Sequence, residues 1–293
     1  MDILRTELLL IKYFQNWFEI SLARFDKTVS LHEGRLRGGS TVRLFTKAVG
    51  FEALAKLLDA GWSVRGCSNE VILLRNGDVR MKCRPVGDDI ANLTEVFLDK
   101  VYGDNFTGMV VVDVGAGDGD SALFFCMKGA ARVIALEPSI ESFELGAENI
   151  RLNGVEERVI MLHMALSDEN GRRELVKIRN SPSFNSSRTS QTKPSQSSFE
   201  KLEVVSSITL ERLFNDYAIG QLDLLKMDCE GCEYDAFRNA PQSLMTRIQN
   251  IILEYHNGAE ELIAILAKNG FIVSVSGSAS GILRASRGAH HTV

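Results

Sequence analysis

Asp113, Gly115, Gly117 and Gly119 alternate through V110-V-V-D-V-G-A-G-D-G-D-S-A-L-F-F125, a buried strand, a glycine turn and the start of a helix. Glycines let the backbone approach a ligand closely, and a helix start offers free N–H groups to an anion. Glu137 ends the next apolar run, A131-R-V-I-A-L-E137. A carboxylate one strand over can accept hydrogen bonds from both hydroxyls of a ribose. Together these residues describe a site for a nucleoside-containing cofactor. Asp113 narrows the choice. An acid just before the first glycine opposes a pyrophosphate and suits a positively charged ligand, such as an amino group beside a sulfonium. The G-x-G-x-G spacing also departs from the G-x-G-x-x-G of dinucleotide sites. An NAD-dependent oxidoreductase is therefore the alternative.

The second constellation is L224-L-K-M-D-C-E-G-C-E-Y-D-A-F237, an apolar run with Lys226 inside it and Asp228, Glu230 and Glu233 at its end. Charged groups rarely stand at a strand end over a core without a function. Helix capping explains Glu233 but not a Lys and an Asp two residues apart. In a doubly wound sheet ligands bind outside the C-terminal strand ends, which puts Asp228 and Glu230 near the turn that carries Asp113. Asp228 and Glu230 are the leading candidates for a general base, and His256 in L253-E-Y-H-N257 is the next. Asp228, Glu254 and Asn257 are oxygen ligands of the kind magnesium takes, but the reading requires no metal. Cys229 and Cys232 form C-x-x-C. No second pair lies at zinc spacing, so neither a metal nor a redox role is assigned to them.

The elements that must position these residues follow from periodicity. From residue 109 strands and helices alternate: strands near 109–114, 132–137, 159–166, 222–228 and 250–255, helices near 119–129, 140–153, 233–247 and 259–269. The alternation predicts a parallel sheet with right-handed crossovers. Two final runs, 271–277 and 281–286, are close enough to pair as an antiparallel hairpin. The expected fold class is α/β, a doubly wound, Rossmann-like sheet of seven strands with a terminal antiparallel hairpin and a small N-terminal helix-and-hairpin region. The domains divide as 1–84 and 85–293.

In the N-terminal region, residues 2–27 read as one amphipathic helix whose apolar face packs on the body or on a second subunit, which gives a route to a homo-oligomer. Residues 28–40 read as loop and 41–60 as helix. The runs 70–75 and 79–83 flank Asn76-Gly77, a hairpin signal. A short helix is expected at 91–102. Residues 172–178 and 201–207 read as paired strands around 180–199, a Ser-rich insertion too poor in aliphatic residues to offset its ordering entropy.

The two motifs carry a resemblance. D-x-G-x-G-x-G with a downstream acid resembles motif I of the S-adenosylmethionine-dependent methyltransferases. D223-L-L-K-M-D-C-E-G-C-E233 resembles the K-x-D-x-E-G-x-E signature of the FkbM-type family. Supporting pieces are Pro138 after Glu137, N149-I-R-L-N153, A165-L-S-D168 and I208-T-L-E-R-L213. The match covers roughly 85–286, leaving out the first 80 residues and the Ser-rich insertion. It implies S-adenosylmethionine as cofactor and O-methylation of a hydroxyl on a sugar, lipid or small metabolite. Under it Asp113, Gly115, Gly117, Gly119, Glu137, Pro138, Ala165, Leu166 and Asp228 would hold the cofactor, with Met164 to Leu166 lining the adenine. Asp228, Glu230, Lys226 and His256 would form the catalytic cluster. A non-catalytic protein that binds the cofactor or a partner is the second alternative; Lys226, Asp228 and Glu230 together oppose it.

Composition bounds the rest. The chain has 293 residues, 45% of them hydrophobic, with a formal net charge of −5. An acidic balance argues against a nucleic-acid partner. The five cysteines, an odd number spread thinly, fit a reducing compartment. No cationic leader and no long uncharged apolar run occurs, so the expected protein is cytoplasmic with no transmembrane segment.

Overall fold

A computed structural model of the protein describes residues 3–23, 30–46, 49–85, 87–178, 186–187 and 199–288. The chain divides into two compact units, one of residues 1–101 with 151–154, the other of 102–150 with 155–293.

The first unit contains α1 (Ile3–Tyr13), α2 (Trp17–Leu22), β1 (Ser30–Arg35), β2 (Thr41–Thr46), α3 (Val49–Asp59), β3 (Ser63–Cys67), β4 (Ile72–Asn76), β5 (Val79–Cys83), α4 (Asp89–Thr94) and a π-helical turn, Glu95–Asp99. The single helix expected over 2–27 is broken. Phe14 makes an antiparallel bridge with Leu36, the Gln15 N–H donates to Arg35 O at 2.7 Å, and Asn16 Oδ1 accepts the Arg35 N–H at 2.8 Å. The Phe14 N–H still bonds Leu10 O at 2.9 Å and Asn16 O starts the next helix by accepting the Ile20 N–H, so the break falls where the Gln15 N–H is diverted to the neighbouring strand. The apolar face is also divided: Leu10, Phe14 and Ile20 are buried, whereas Ile3, Leu4, Leu8, Phe18 and Leu22 are exposed.

Residues expected as loop and early helix form the hairpin β1–β2, with Ser30 opposite Thr46 and Arg35 opposite Thr41. Val42 and Leu44 point into the core, while Thr41 and Arg43 are exposed, a period of two that excludes a helix there. The hairpin of β4 and β5 forms as expected, its two-residue loop being Gly77 and Asp78 with Gly77 at φ +58°.

The second unit contains β6 (Val110–Val114), α5 (Asp120–Met127), β7 (Arg132–Leu136), α6 (Ile140–Leu152), β8 (Val159–Leu162), β9 (Ala165–Leu166), β10 (Gly171–Ile178), β11 (Ser186–Ser187), β12 (Phe199–Ile208), α7 (Leu210–Asp216), β13 (Leu222–Met227), α8 (Cys232–Arg238), α9 (Gln242–Met245), β14 (Ile248–Tyr255), α10 (Glu260–Lys268), β15 (Ile272–Val275) and β16 (Gly281–Ser286). Seven strands form one sheet in the order β15-β16-β14-β13-β6-β7-β8. All run parallel except β16, which is antiparallel to both β14 and β15. This is the Rossmann-like sheet with a terminal antiparallel hairpin. The chain winds outward from β6 through β7 to β8, then returns to the other side of β6 as β13. That reversal creates a crevice between the C-terminal ends of β6 and β13. Val112, Val114, Leu225, Met227, Ile251 and Leu253 are buried at the centre of the sheet.

Two expected elements are split. The strand expected over 159–166 ends at Leu162, whose carbonyl accepts the N–H groups of both Glu137 and Met164. The chain then leaves the main sheet, and β9 pairs with β12 in a second sheet ordered β11-β10-β12-β9. There β10 and β12 pair antiparallel, Gly171 opposite Ser207. The Ser-rich stretch lies outside the described residues except for Ser186–Ser187, which pairs with β10. The helix expected over 233–247 stops at Arg238, because Pro241 is extended, at φ −62° and ψ 144°, and has no N–H to continue the ladder.

Candidate functional site

The glycine loop sits at the crevice. Its start is fixed by the Gly115 and Ala116 N–H groups, both donated to Leu136 O. Gly115 has φ +73°, and a Cβ there would stand 1.8 Å from the carbonyl oxygen of Asp228. Only glycine satisfies both demands. Gly119, at φ +82°, backs closely against Gly146 of α6. Gly117 differs: at φ +52° nothing lies within 4 Å of the place a Cβ would occupy, and its N–H donates to Glu137 Oε2 at 2.9 Å. The other oxygen of Glu137 accepts the Ser139 N–H at 2.8 Å. Two backbone donors therefore hold this carboxylate beside the loop's open side. Pro138 offers its carbonyl to His163 Nε2 at 3.0 Å, and the His163 ring stacks on Phe143.

Beneath the loop lies a buried ion pair. Asp113 and Lys226 are register partners on β6 and β13, so their side chains share one face of the sheet. Their charged groups are 2.9 Å apart, with side-chain exposures of 0% and 3%. Ser121 donates its hydroxyl to the second oxygen of Asp113 at 2.6 Å. Lys226 also donates to Gly115 O at 2.8 Å, and its ammonium lies 5.5 Å from the centre of the Tyr102 ring. Burial alone would push the Lys226 pKa down, but the charges of Asp113 and Asp228 outweigh it and hold the lysine above its ordinary value. Burial likewise raises Tyr102. Neither Asp113 nor Lys226 opens onto the crevice; together they pin the loop from below.

Asp228 follows the end of β13 and is anchored by its N–H to Val114 O at 3.0 Å. Beyond it Glu230 adopts φ +56°, a left-handed conformation uncommon for a residue with a Cβ and frequent at functional sites. His256, just past β14, is surrounded by carboxylates. Its Nε2 lies 3.6 Å from Glu230 Oε1 and 3.8 Å from Glu254 Oε1, and its Nδ1 lies 3.7 Å from Glu233 Oε1. Glu233 is fully buried. These neighbours, Glu233 foremost, raise the His256 pKa to about 9 against the opposing effect of burial. Burial pushes Glu230 up as well. Tyr234 fixes the following turn, accepting the Asn257 N–H and donating to Gly258 O.

The structure thus brings together Gly115, Gly117, Gly119, Glu137 and Asp228 on one side, and Asp228, Glu230, Glu233, Glu254 and His256 on the other. The side chains of Ala165 and Leu166 are both buried. Ala165 packs with Leu175 and Val205, and Leu166 belongs to the main core. Cys229 and Cys232 are joined in a disulfide, so the expectation of a thinly spread set of thiols does not hold for this pair. Sequence reasoning missed Ser121, Ser139, Tyr102 and Tyr234. A Ser or Tyr carries no periodic signal that marks it as the partner of a distant charge.

A family model described as the methyltransferase FkbM domain matches residues 113–273. Among solved structures, the chain is similar to a methyltransferase FkbM from Methylobacillus flagellatus, with 13% identity and a TM-score of 0.43 over 61% of this chain and 43% of that one. The chain therefore spans less than half the length of that protein. It is also similar to TrmK of M. capricolum in complex with S-adenosyl-homocysteine, with 8% identity and a TM-score of 0.42 over 67% of each chain. A third likeness is to the magnesium protoporphyrin IX methyltransferase of Synechocystis with bound S-adenosylmethionine, with 15% identity and a TM-score of 0.35 over 68% of this chain and 77% of that one.

Proposed function

This chain belongs to the FkbM methyltransferase family, and on that premise we propose that it transfers a methyl group from S-adenosylmethionine to a hydroxyl of a sugar, lipid or small metabolite. One observation carries the proposal. The Asp228 carbonyl occupies the space a Gly115 side chain would fill, so the glycine loop and the acidic motif are two walls of one crevice. The residues present fit the cofactor: the loop is open at Gly117, and Glu137 is held beside it by two backbone donors.

In this reading Gly117 admits the cofactor close to the backbone, and Glu137 accepts from the ribose hydroxyls with the lone pairs left on its oxygens. Pro138 shapes the turn after Glu137. The adenine lies along residues 164–166, against backbone and the half-buried Met164 rather than the side chains of Ala165 and Leu166. When bound, the cofactor would supply a methyl carbon activated by its sulfonium, the carbon–sulfur bond breaking as the carbon–oxygen bond forms and S-adenosylhomocysteine leaving. The protein aligns the acceptor oxygen with that carbon and takes the hydroxyl proton as the new bond forms. Asp228 and Glu230 are the carboxylates assigned to accept that proton, with His256 and Glu233 beside them supporting the assignment. Asp113 and Lys226 act indirectly, by holding the loop.

The test is calorimetric titration of wild type and Glu137→Ala with S-adenosylhomocysteine, with NAD as the control, followed by acceptor assays with hydroxylated compounds. Micromolar binding that is lost in the variant is expected. Binding of NAD alone would replace the proposal with a dehydrogenase. Cofactor binding without turnover on any hydroxyl, but with turnover on an amine or a nucleic acid, would retain the methyltransferase and remove the hydroxyl acceptor.

A further inference from the structure

We propose that Asp228, Glu254 and His256 form a binding site for a divalent metal cation at the C-terminal ends of β13 and β14. A carboxylate oxygen of Asp228, one of Glu254 and a ring nitrogen of His256 all lie within 4.8 Å of one another. Donor atoms around a single six-coordinate ion, bound at about 2.1 Å, stand roughly 3 to 4 Å apart. Small side-chain rotations close the set. The register explains the convergence: Met227 pairs with Leu253 on adjacent parallel strands, so Asp228, just past β13, and Glu254, near the end of β14, stand at the same level.

Two further observations point to a cation. The first is charge. Glu230 and Glu233 add to Asp228 and Glu254, so four carboxylates crowd one imidazole. A divalent ion offsets that repulsion. The second is Glu233. It is fully buried, its Oε2 has no hydrogen-bond partner among the described residues, and its Oε1 faces His256 Nδ1 at 3.7 Å. A carboxylate behind the far nitrogen of a metal-bound histidine fixes the tautomer with Nδ1 protonated and leaves Nε2 as the ligand. Nε2 is the nitrogen that faces Glu230 and Glu254.

The donor set selects the ion class. Two carboxylates and one imidazole form a mixed oxygen–nitrogen set, which suits a divalent transition ion such as manganese better than a soft metal or an all-oxygen cation. The nearby sulfurs of Cys229 and Cys232 are bonded to each other and offer no thiolate. Binding of the ion goes beyond the methyl-transfer reading and does not need it. Its use does rest on that reading: an ion beside Asp228 would hold the acceptor oxygen and ease loss of its proton.

The experiment is titration of the full-length protein with MnCl2, free Mn2+ being read by electron paramagnetic resonance. Wild type is compared with Glu254→Gln, His256→Ala and, as control, Glu261→Gln, an exposed acid of α10 bonded to Arg238. Saturable binding at one site per chain is expected, weakened about tenfold or more in both site variants and unchanged in the control. Mn2+ should also raise the Tm of wild type, a reading that needs no variant. Absence of saturable binding to wild type, or undiminished affinity in both site variants, would overturn the site. Titration with S-adenosylhomocysteine on the same samples separates the two proposals. Mn2+ binding without cofactor binding would support the cation site and remove the methyl-transfer reading.

Discussion

Lys226 and Asp113 illustrate how a residue's type can be legible while its task is not. A lysine inside an apolar run signals a function, and the sequence places it in a reactive cluster. Across the sheet it instead meets Asp113, with both groups almost fully excluded from water and further tied to Gly115 O and Ser121. Replacing one member of such a pair strands the other charge in the core, at a cost of about 3–5 kcal/mol, whereas replacing both by apolar residues removes most of the penalty. Lys226→Met should therefore destabilise the fold by that amount in urea denaturation. The double variant Lys226→Met, Asp113→Leu should be more stable than the single one. Purely additive losses would mean that the two residues do not act as a pair. Gly115 belongs to the same scale: its need for glycine was readable as a turn, but the oxygen that enforces it, from Asp228, lies 113 residues away along the chain.

The elements follow local pattern where one face alone is buried and depart from it where a distant strand competes. Residues 3–22 carry helical periodicity throughout, yet the helix breaks where Phe14, Gln15 and Asn16 find partners in the hairpin of β1 and β2. Asn16 also donates to Glu33 O at 2.7 Å. The hairpin packs closely there. A Cβ on Gly34 would come within 2.5 Å of Phe51 and 2.8 Å of Phe14, two fully buried rings in edge contact. Overpacking of this kind costs about 1–3 kcal/mol. Gly34→Ala should lower the urea midpoint of the first unit accordingly, while leaving S-adenosylhomocysteine affinity unchanged. An unaltered midpoint would show that the rings yield freely.

At the scale of the whole molecule, charge and apolar surface set the partners. The formal net charge of −5 gives no general attraction for phosphate backbones. Fluorescence anisotropy with mixed transfer RNA should accordingly show no tight binding at low salt. Tight binding that falls steeply with added salt would reveal a local basic face and point the acceptor search to nucleic acid. No helix among the described residues is long and apolar enough to cross a membrane. Ile3, Leu4, Leu8, Phe18 and Leu22 stay exposed along α1 and α2, the part of the expected packing face that the chain's own body does not cover.

The sequence by itself determined the alternation of strands and helices in the second unit, the terminal hairpin, the glycine loop and the acidic motif. Each of these is written in local period, turn chemistry or the spacing of a few charged residues. Only the tertiary structure decided which charges are spent in the core and which face the crevice. Asp113 and Lys226 neutralise each other because β13 returns beside β6. Glu233, Glu254 and His256 converge because β14 runs beside β13 and carries Glu254 and His256 to the level where the chain leaves β13 for α8. Sheet order and register bring these side chains together, and neither is encoded in the spacing of residues along a single strand.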